Sequence, residues 1–247
     1  MAPPVHEHQA AEALLALAAA PHQGEDEGDL LRRLACSAVH VTGADAAGCS
    51  LADGGAGRPH RLAGSDDIAV QLEHDQVELQ EGPGLDTVRS GRPLTDLPMV
   101  RTHGRIRWPR FTRRALDAGF TALSALPLTH QDRVFGALVL YHRQGVMHPE
   151  DVRWSRLLAD AAGVGLAHRS VLHEAQCRTE QLQAALHSRI AIEQAKGMLA
   201  ERLGCTSTEA FALMRRHART HRVKVTDLSA EIVRGPADTG PFPKPPH

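Results

Sequence analysis

The stretch RIAIEQAKGMLAERL, from Arg189 to Leu203, has the apolar spacing of an α-helix. Its apolar residues recur at helical intervals and therefore share one face: Ile192, Ala195, Leu199 and Leu203. Arg189 and Lys196 lie seven residues apart and share a second face. The stretch predicts a helix with one face that packs against the protein and another that is free to bind.

Two further helices are predicted directly after this stretch. Gly204 suits a helix stop, and Thr206 with Glu209 has the S/T-x-x-E spacing of a capping box that opens the next helix. That helix carries apolar residues for a core face: Ala210, Phe211, Leu213, Met214 and Ala218. A short third helix with Leu228 and Ile232 on its inner face completes a small all-α domain.

A row of basic side chains follows the second of these helices. The row consists of Arg215, Arg219 and Arg222 at i, i+4 and i+7, extended by Arg216 and Lys224. No acidic residue interrupts it, and residues 180–234 hold nine Lys and Arg against six Asp and Glu, although the whole chain has a formal charge of −1. This local surplus suits contact with phosphates. A solvated helix face explains the same row equally well.

The run from Ser188 to Val233 resembles an ANTAR domain, the three-helix RNA-binding domain of bacterial transcription antitermination regulators. The match rests on linked positions: Arg189-x-x-Ile192-Glu193-x-Ala195-Lys196-Gly197, Glu209-Ala210-Phe211, Leu213, Arg215, Ala218 and Asp227-Leu228-x-x-x-Ile232-Val233. The resemblance implies binding of paired RNA stem-loops that compete with a transcription terminator. With the basic row it selects the following RNA-binding residues: Arg189, Ala195, Lys196, Gly197, Arg215, Arg216, Arg219 and Lys224.

The basic side chains of this set are expected to contact phosphates, and the small residues Ala195 and Gly197 to permit close approach. A glycine in mid-helix costs roughly 1 kcal/mol relative to alanine. Gly197 therefore serves either the approach of nucleic acid or tight packing against the second helix. We expect no aromatic residue on the basic face, so the preference for RNA over DNA rests on the resemblance alone. A DNA-binding helical regulator, and a sensory dimer that acts only through protein contacts, remain open alternatives.

The chain before this domain alternates helical and β-compatible segments. The apolar runs Phe120–Leu128 and Val134–Tyr141 flank the polar turn THQDR and predict a hairpin in the middle of a sheet. Helices are predicted at Ser65–Leu79 and Trp108–Ala118, and a short strand at Ala47–Ala52. The order predicts an α+β fold with a central antiparallel sheet flanked by helices.

This N-terminal region resembles a GAF domain, a small-molecule sensory fold that is often joined to ANTAR domains. The resemblance rests on LLRRLACSAVHVTGADAAGCSLAD, EGPGLDTVRSGRPLTDL, RWPRFTRRALDAGFTALSALPLTHQDRVFGALVLY and the helix after His148. Many relatives carry Cys in the third position of a Gly-Pro-Cys motif, where this chain has Gly84. The departure argues against a thiol-linked ligand, and the ligand-binding residues stay unknown.

Composition limits the other function classes. The cysteines are far apart, with no C-x-x-C pair, so they form neither a zinc motif nor a disulfide scaffold: Cys36, Cys49, Cys177 and Cys205. The chain shows no nucleotide-binding, hydrolase or metalloprotease motif, so we expect no enzyme, no catalytic residue, no metal and no cofactor. No signal peptide or membrane span is evident, which predicts a cytoplasmic protein without a membrane partner.

One long helix is predicted from Pro149 to about Leu203, because no proline interrupts this stretch. Leu158, Leu172 and Leu186 share a heptad position and predict a weak coiled coil, hence a homodimer. The alternative is a helix packed against its own GAF-like domain and followed by a linker.

The predicted organisation has five parts. They are a flexible leader at 1–28, a GAF-like sensory domain at 29–169, a connecting helix at 170–187, an ANTAR-like domain at 188–234 and a disordered Pro-rich tail at 235–247. We therefore expect a cytoplasmic dimeric regulator. Its GAF-like domain senses an unidentified small molecule or upstream partner, and its ANTAR-like domain binds RNA stem-loops.

Overall fold

The computed structural model describes residues 4–19, 26–52, 59–99, 106–145, 147–235 and 242. The chain divides into two compact units, Met1–Leu172 and His173–His247. The helices of the described residues are α1 (Pro4–Ala18), α2 (Glu27–Thr42), α3 (Asp67–Leu79), α4 (Pro83–Ser90), α5 (Pro109–Asp117), α6 (Pro149–Leu203), α7 (Ser207–His221) and α8 (Val225–Arg234). The strands are β1 (Ala46–Ala52), β2 (Pro59–Gly64), β3 (Leu94–Pro98), β4 (Ala122–His130) and β5 (Arg133–His142).

The first unit is built on an antiparallel sheet with the strand order β2-β1-β5-β4-β3. The predicted hairpin is confirmed as β4 and β5, which pair from Ala122–His142 to His130–Arg133. It places β5 between β1 and β4, in the centre of the sheet. The α+β fold class is therefore confirmed.

Each face of the sheet is covered by its own helices. Alternate residues of β1, β4 and β5 point to opposite faces, because side chains alternate along a strand. One face packs against α2 and the first part of α6, with Leu34 and Leu158 among its fully buried residues. The other packs against α3 and α5, with Phe111 and Tyr141 fully buried. Both faces are apolar, so the sheet is the middle layer of the unit.

The start of the chain differs from the predicted flexible leader. Residues Pro4–Ala18 form α1, and Ala10 and Leu17 are fully buried. Leu17 belongs to the core formed by α2 and the sheet. Helix α1 is thus an additional layer of the first unit, because Leu14 and Leu17 find an apolar surface to cover. Residues 1–3 and 20–25 of the leader prediction lie outside the described residues.

The long helix α6 has two environments. Leu158, Ala162 and Leu166 are buried against the sheet of the first unit, so this part follows the alternative of a helix packed on its own domain. Leu158 therefore cannot belong to a coiled-coil seam, and the heptad row is wrong at that position. From Val171 to His187 the helix is exposed apart from the half-buried Cys177. Leu172 and Leu186, of the same row, are 51% and 58% exposed.

The second unit consists of the end of α6 with α7 and α8. Gly204 ends α6 at φ 64°. The predicted capping box is confirmed, since the Thr206 hydroxyl accepts from the Glu209 N–H at 3.2 Å and the Glu209 carboxylate accepts from the Thr206 N–H at 2.8 Å. The buried core holds Ala195, Leu199, Ala210, Met214, Ala218, Leu228 and Ile232.

Phe242 belongs to the predicted disordered tail but packs against the core of the second unit. Its ring centroid lies 4.9 Å from that of His217, and its carbonyl oxygen accepts from Arg202 at 3.2 Å. The prediction of disorder therefore fails at this residue, because an aromatic ring finds apolar surface to cover. Residues 236–241 and 243–247 of the tail lie outside the described residues.

Candidate nucleic-acid interface

The basic row lies on the side of α7 that faces away from the core. Ala210, Met214 and Ala218 recur every four residues and are buried. The positions that follow two of these residues, Arg215 and Arg219, are exposed, because one residue turns a helix by about 100°. Arg216 is exposed as well. Because the apolar residues of α7 pack into the core, the guanidinium groups on the other side of the helix point outward.

The three arginines have no acidic partner in the part of the chain that the structure describes. No Asp or Glu oxygen in these ranges lies within 4.0 Å of the guanidinium nitrogens of Arg215, Arg216 or Arg219. Like charges at i, i+4 destabilise a helix by roughly 0.2–0.5 kcal/mol. The row therefore lowers the stability of α7 slightly. It also leaves positive charge available to an anionic partner.

Lys196 differs from these arginines because its charge is already paired. Its Nζ lies 2.9 Å from both carboxylate oxygens of Glu193, one turn earlier on α6, and its side chain is 18% exposed. The same Nζ lies 5.5 Å from the ring centroid of Phe211. The charge of Lys196 is therefore less available to a phosphate than the charges of the arginines in the row. Arg189 is exposed on the same helix.

The two small residues of the predicted interface lie in opposite environments. Ala195 is fully buried in the core of the second unit, so its assignment to RNA contact is wrong. Its side chain points to the packing face of α6 with Leu199. Gly197 is exposed, and a Cβ built there would meet nothing within 4 Å. Tight packing against α7 therefore does not explain Gly197.

The far end of the row lies in the turn between α7 and α8. Arg222 follows α7 with a left-handed backbone at φ 56°, so it does not continue the helix face on which it was predicted. Lys224 is the N-cap of α8 and makes no capping hydrogen bond with its side chain. A cation at a helix N-terminus is electrostatically unfavourable. Both side chains are exposed and available for binding.

Phe211 lies outside the core, in contrast to its predicted position on the core face of α7. Its ring is half-buried and lies beside the basic groups, with Lys196 Nζ at 5.5 Å and Arg215 Cζ at 5.9 Å from its centroid. The apolar character of the residue favoured a core position. The helical spacing carried the opposite signal, since Phe211 precedes Arg215 by four residues and so shares its face.

The interior of the first unit contains a polar cluster rather than a wide cavity at the position of the Gly-Pro-Cys motif. Glu73 Oε1 accepts from the Tyr141 hydroxyl at 2.8 Å and from Gln76 at 3.0 Å, and Gln76 Oε1 accepts from the Gly84 N–H at 2.8 Å. A Cβ added at Gly84 would lie 3.0 Å from Gln76 Oε1. Burial raises the pKa of Glu73 from 4.5 to about 8.

A pocket of about 340 Å³ lies between α3 and α5 of the first unit. Its floor includes the buried Leu72, and its wall carries Asp67, Asp75 and Asp117 with a single cation, Arg114. Arg114 forms ion pairs with Asp75 and, at 3.3 Å, with Glu78. The volume is at the lower end of the range of small-molecule sites.

Comparison with protein families agrees with this division. The model described as GAF domain matches residues 24–167, and the model described as ANTAR domain matches residues 180–233. A sensory domain joined to a regulatory domain with an exposed basic face defines a signal-sensing regulator. The chain belongs to the GAF domain family and carries an ANTAR domain after it. A comparison with curated proteins found no match.

Solved structures of GAF domains resemble the chain at low identity. The GAF domain of the phosphoenolpyruvate-protein phosphotransferase of Acinetobacter is 11% identical, covering 68% of this chain and 96% of that one with a TM-score of 0.49. The GAF domain of a phosphoenolpyruvate-protein phosphotransferase of Coxiella burnetii is 14% identical, covering 68% and 96% with a TM-score of 0.47.

Two other kinds of site are absent from the described ranges. None of the helices there combines the length and the apolar character that a membrane span needs. Within the same ranges, no group of three or more His, Cys, Asp or Glu side chains is arranged to hold a metal ion.

Proposed function

We propose that this protein is a cytoplasmic, non-enzymatic regulator of transcription antitermination whose second unit binds RNA stem-loops. The observation that carries the proposal is the exposed row Arg215, Arg216 and Arg219, which lacks a carboxylate partner among the described residues and lies in an ANTAR domain. Such cations favour phosphates, because binding releases the counterions of the nucleic acid. Lys224 and the open surface at Gly197 extend the same binding region.

Homodimerisation would bring two such regions together. Leu172, Leu182 and Leu186 are 51%, 72% and 58% exposed on α6, which leaves apolar surface for a second copy to cover. A dimer that holds two stem-loops of one RNA makes the second contact intramolecular, and affinity rises without a new type of contact. Paired stem-loops are therefore the substrate that a dimer favours.

The signal is proposed to act on the first unit. A small molecule in the pocket between α3 and α5, or an upstream protein partner, would bind one state of this unit more tightly than another. Helix α6 is covalently continuous from the first unit into the second. A change in the pairing of residues 170–187 would then alter how the two basic rows are presented to RNA.

The test is a salt-titrated binding assay with the full chain. The probes are a two-stem-loop RNA, the same RNA with one loop scrambled, and duplex DNA of equal charge. We expect the scrambled RNA to lose most of the affinity and DNA to bind more weakly still. Equal binding to all three probes would favour a DNA-binding or unspecific regulator, whereas no binding would favour a sensory dimer that acts through protein contacts.

Substitution of the row sharpens this assay. The double substitution Arg215→Ala and Arg219→Ala should reduce the slope of log affinity against log salt by about 0.7–0.9 per lost phosphate contact. The matched control replaces two exposed arginines of the first unit, Arg92→Ala and Arg153→Ala, and changes the net charge by the same amount. If both variants lose affinity equally, binding follows net charge and the row is not the interface.

A further inference from the structure

Phe211 occupies a position in α7 that packing alone does not account for. Its side chain is half-buried, whereas the neighbouring Ala210 and Met214 are fully buried. The buried core of the second unit is assembled from other residues of α6, α7 and α8. A large aromatic ring that a core does not enclose presents apolar surface to a partner.

The surroundings of the ring are cationic. Lys196 Nζ and Arg215 Cζ lie 5.5 and 5.9 Å from its centroid, from two different helices. Gly197 follows Lys196, and the space where its Cβ would lie is open. Lys196 is paired with Glu193, whereas Arg215 has no carboxylate partner in the described ranges. An aromatic ring beside Arg215 therefore offers two contacts at once, the ring for a nucleobase and positive charge for its phosphate.

We propose that Phe211 is the stacking platform for an unpaired base in the loop of the RNA stem-loop. The proposal rests on the function proposed above and deepens it, because it names the part of the RNA that the second unit recognises. A base in a duplex is paired and stacked, so it cannot reach the ring, whereas a base in a hairpin loop can be turned outward. Phe211 thus distinguishes hairpin RNA from duplex DNA, a distinction that the arginine row alone does not make.

Conservative substitutions separate stacking from folding. Phe211→Leu keeps apolar bulk and removes the flat ring, and Phe211→Trp keeps a flat ring. Stacking on an aromatic side chain predicts a loss of affinity of about tenfold in Phe211→Leu on the two-stem-loop RNA. The salt slope should stay unchanged, because no phosphate contact is removed. Phe211→Trp should bind within about twofold of the parent.

The first unit offers a matched control. Phe135 is also half-buried beside an arginine, with Arg133 Cζ 4.7 Å from its ring centroid. Phe135→Leu removes a comparable ring from the first unit and should leave RNA affinity unchanged. A second control is an RNA in which the loop bases are replaced by abasic sites, on which the parent and Phe211→Leu should bind equally.

Base stacking is also observed directly on the unaltered protein. A 2-aminopurine placed at successive loop positions should lose fluorescence at one position when the full chain binds. This measurement does not depend on the folding of any variant. Absence of quenching at every loop position, with the RNA bound, would overturn the stacking role.

The outcomes separate the two proposals. Salt-dependent RNA binding with equal affinities for the parent and Phe211→Leu would overturn the role of Phe211 and leave the arginine row in place. An equal loss for Phe211→Leu on intact and abasic loops would overturn it as well. No RNA binding by the parent would overturn both proposals. A tenfold loss confined to intact loops, restored by Phe211→Trp, would support the platform.

Discussion

Several arginines of the first unit form ion pairs, whereas the arginines of the α7 row form none in the ranges described. In the first unit, Arg107 Nε lies 2.7 Å from Asp86 and Arg110 Nε lies 2.8 Å from Glu81. In the second unit, Arg215 and Arg219 have no such partner in the ranges described. An ion pair between an arginine and a carboxylate can stabilise the folded unit. An exposed arginine without such a pair leaves its charge free to contact another molecule.

Apolar side chains show the same division. Leu158 is fully buried in the first unit, whereas Leu186, in the same helix and heptad position, is 58% exposed in the second. The heptad row therefore packs inside the first unit at Leu158. At Leu186 the same row is exposed and could contact a second copy of the chain. The row is thus covered by the core of the first unit at Leu158 and left uncovered at Leu186.

The largest expected effect concerns Glu73, the buried carboxyl group of the first unit. Burial raises the pKa of Glu73 to about 8, and the unfolded chain releases this proton near 4.5. Between these values the folded state holds the proton and the unfolded state does not, so the free energy of unfolding falls as pH rises. Over that window the loss attributable to Glu73 is on the order of 5 kcal/mol.

Urea unfolding at a series of pH values measures this dependence. Glu73→Gln stays neutral and keeps an oxygen that accepts from Tyr141 and Gln76, so its free energy of unfolding should change less between pH 4.5 and 8. Glu231→Gln, which removes an exposed carboxylate from the second unit, is the control and should retain the parental profile. If Glu73→Gln showed the same pH dependence of the free energy of unfolding as the parent, the raised pKa of the buried Glu73 would be contradicted.

The next prediction compares one leucine from each of the two environments of α6. Leu158→Ala should lower the free energy of unfolding of the first unit by about 2–5 kcal/mol, because it leaves a cavity in a packed core. Leu186→Ala should change it by less than about 0.5 kcal/mol in dilute solution. Sedimentation should instead show weaker self-association for Leu186→Ala. Equal destabilisation by both would remove the distinction between the two parts of the helix.

A third pair of substitutions compares an ion-paired arginine of the first unit with an exposed arginine of the α7 row. Arg114→Met leaves the Asp75 carboxylate, 5% exposed, without its cation and should cost about 1–3 kcal/mol of stability. Arg219→Met should leave stability within about 0.5 kcal/mol and reduce the salt slope of RNA binding instead. Adding Asp75→Asn to Arg114→Met should restore part of the stability. Thermal unfolding and the binding assay report the two effects separately.

The smallest effect concerns two helix ends with the same backbone strain. Gln80 after α3 and Arg222 after α7 are non-glycine residues at φ 55° and 56°. Replacement by glycine relieves the steric cost of this conformation and should stabilise either unit by about 0.5–1 kcal/mol. Only Arg222→Gly should also weaken RNA binding, because it removes an exposed cation. If Gln80→Gly weakened RNA binding as much, the effect would not be local to the second unit.

Local chemistry determined much of what the sequence could predict. The β4–β5 hairpin, the stop at Gly204 and the capping box of Thr206 and Glu209 depend on residues close together in the chain. The exposed arginines of α7 followed from helical spacing, because the apolar residues determine which face is turned outward. The two families were recognisable because their motifs recur in register along the sequence.

Only the tertiary structure decided which surfaces were covered. Helical spacing placed Ala195 on the apolar face of α6 and Phe211 on the face of Arg215, but it did not say which faces the neighbouring helices would cover. It also did not separate Leu158 from Leu186, because both satisfy the same heptad pattern. The sequence therefore determined the helices, the caps and the local charge. Which side chains remain available to RNA or to a second copy was decided by packing between residues distant in the chain, because burial is a property of the assembled surfaces.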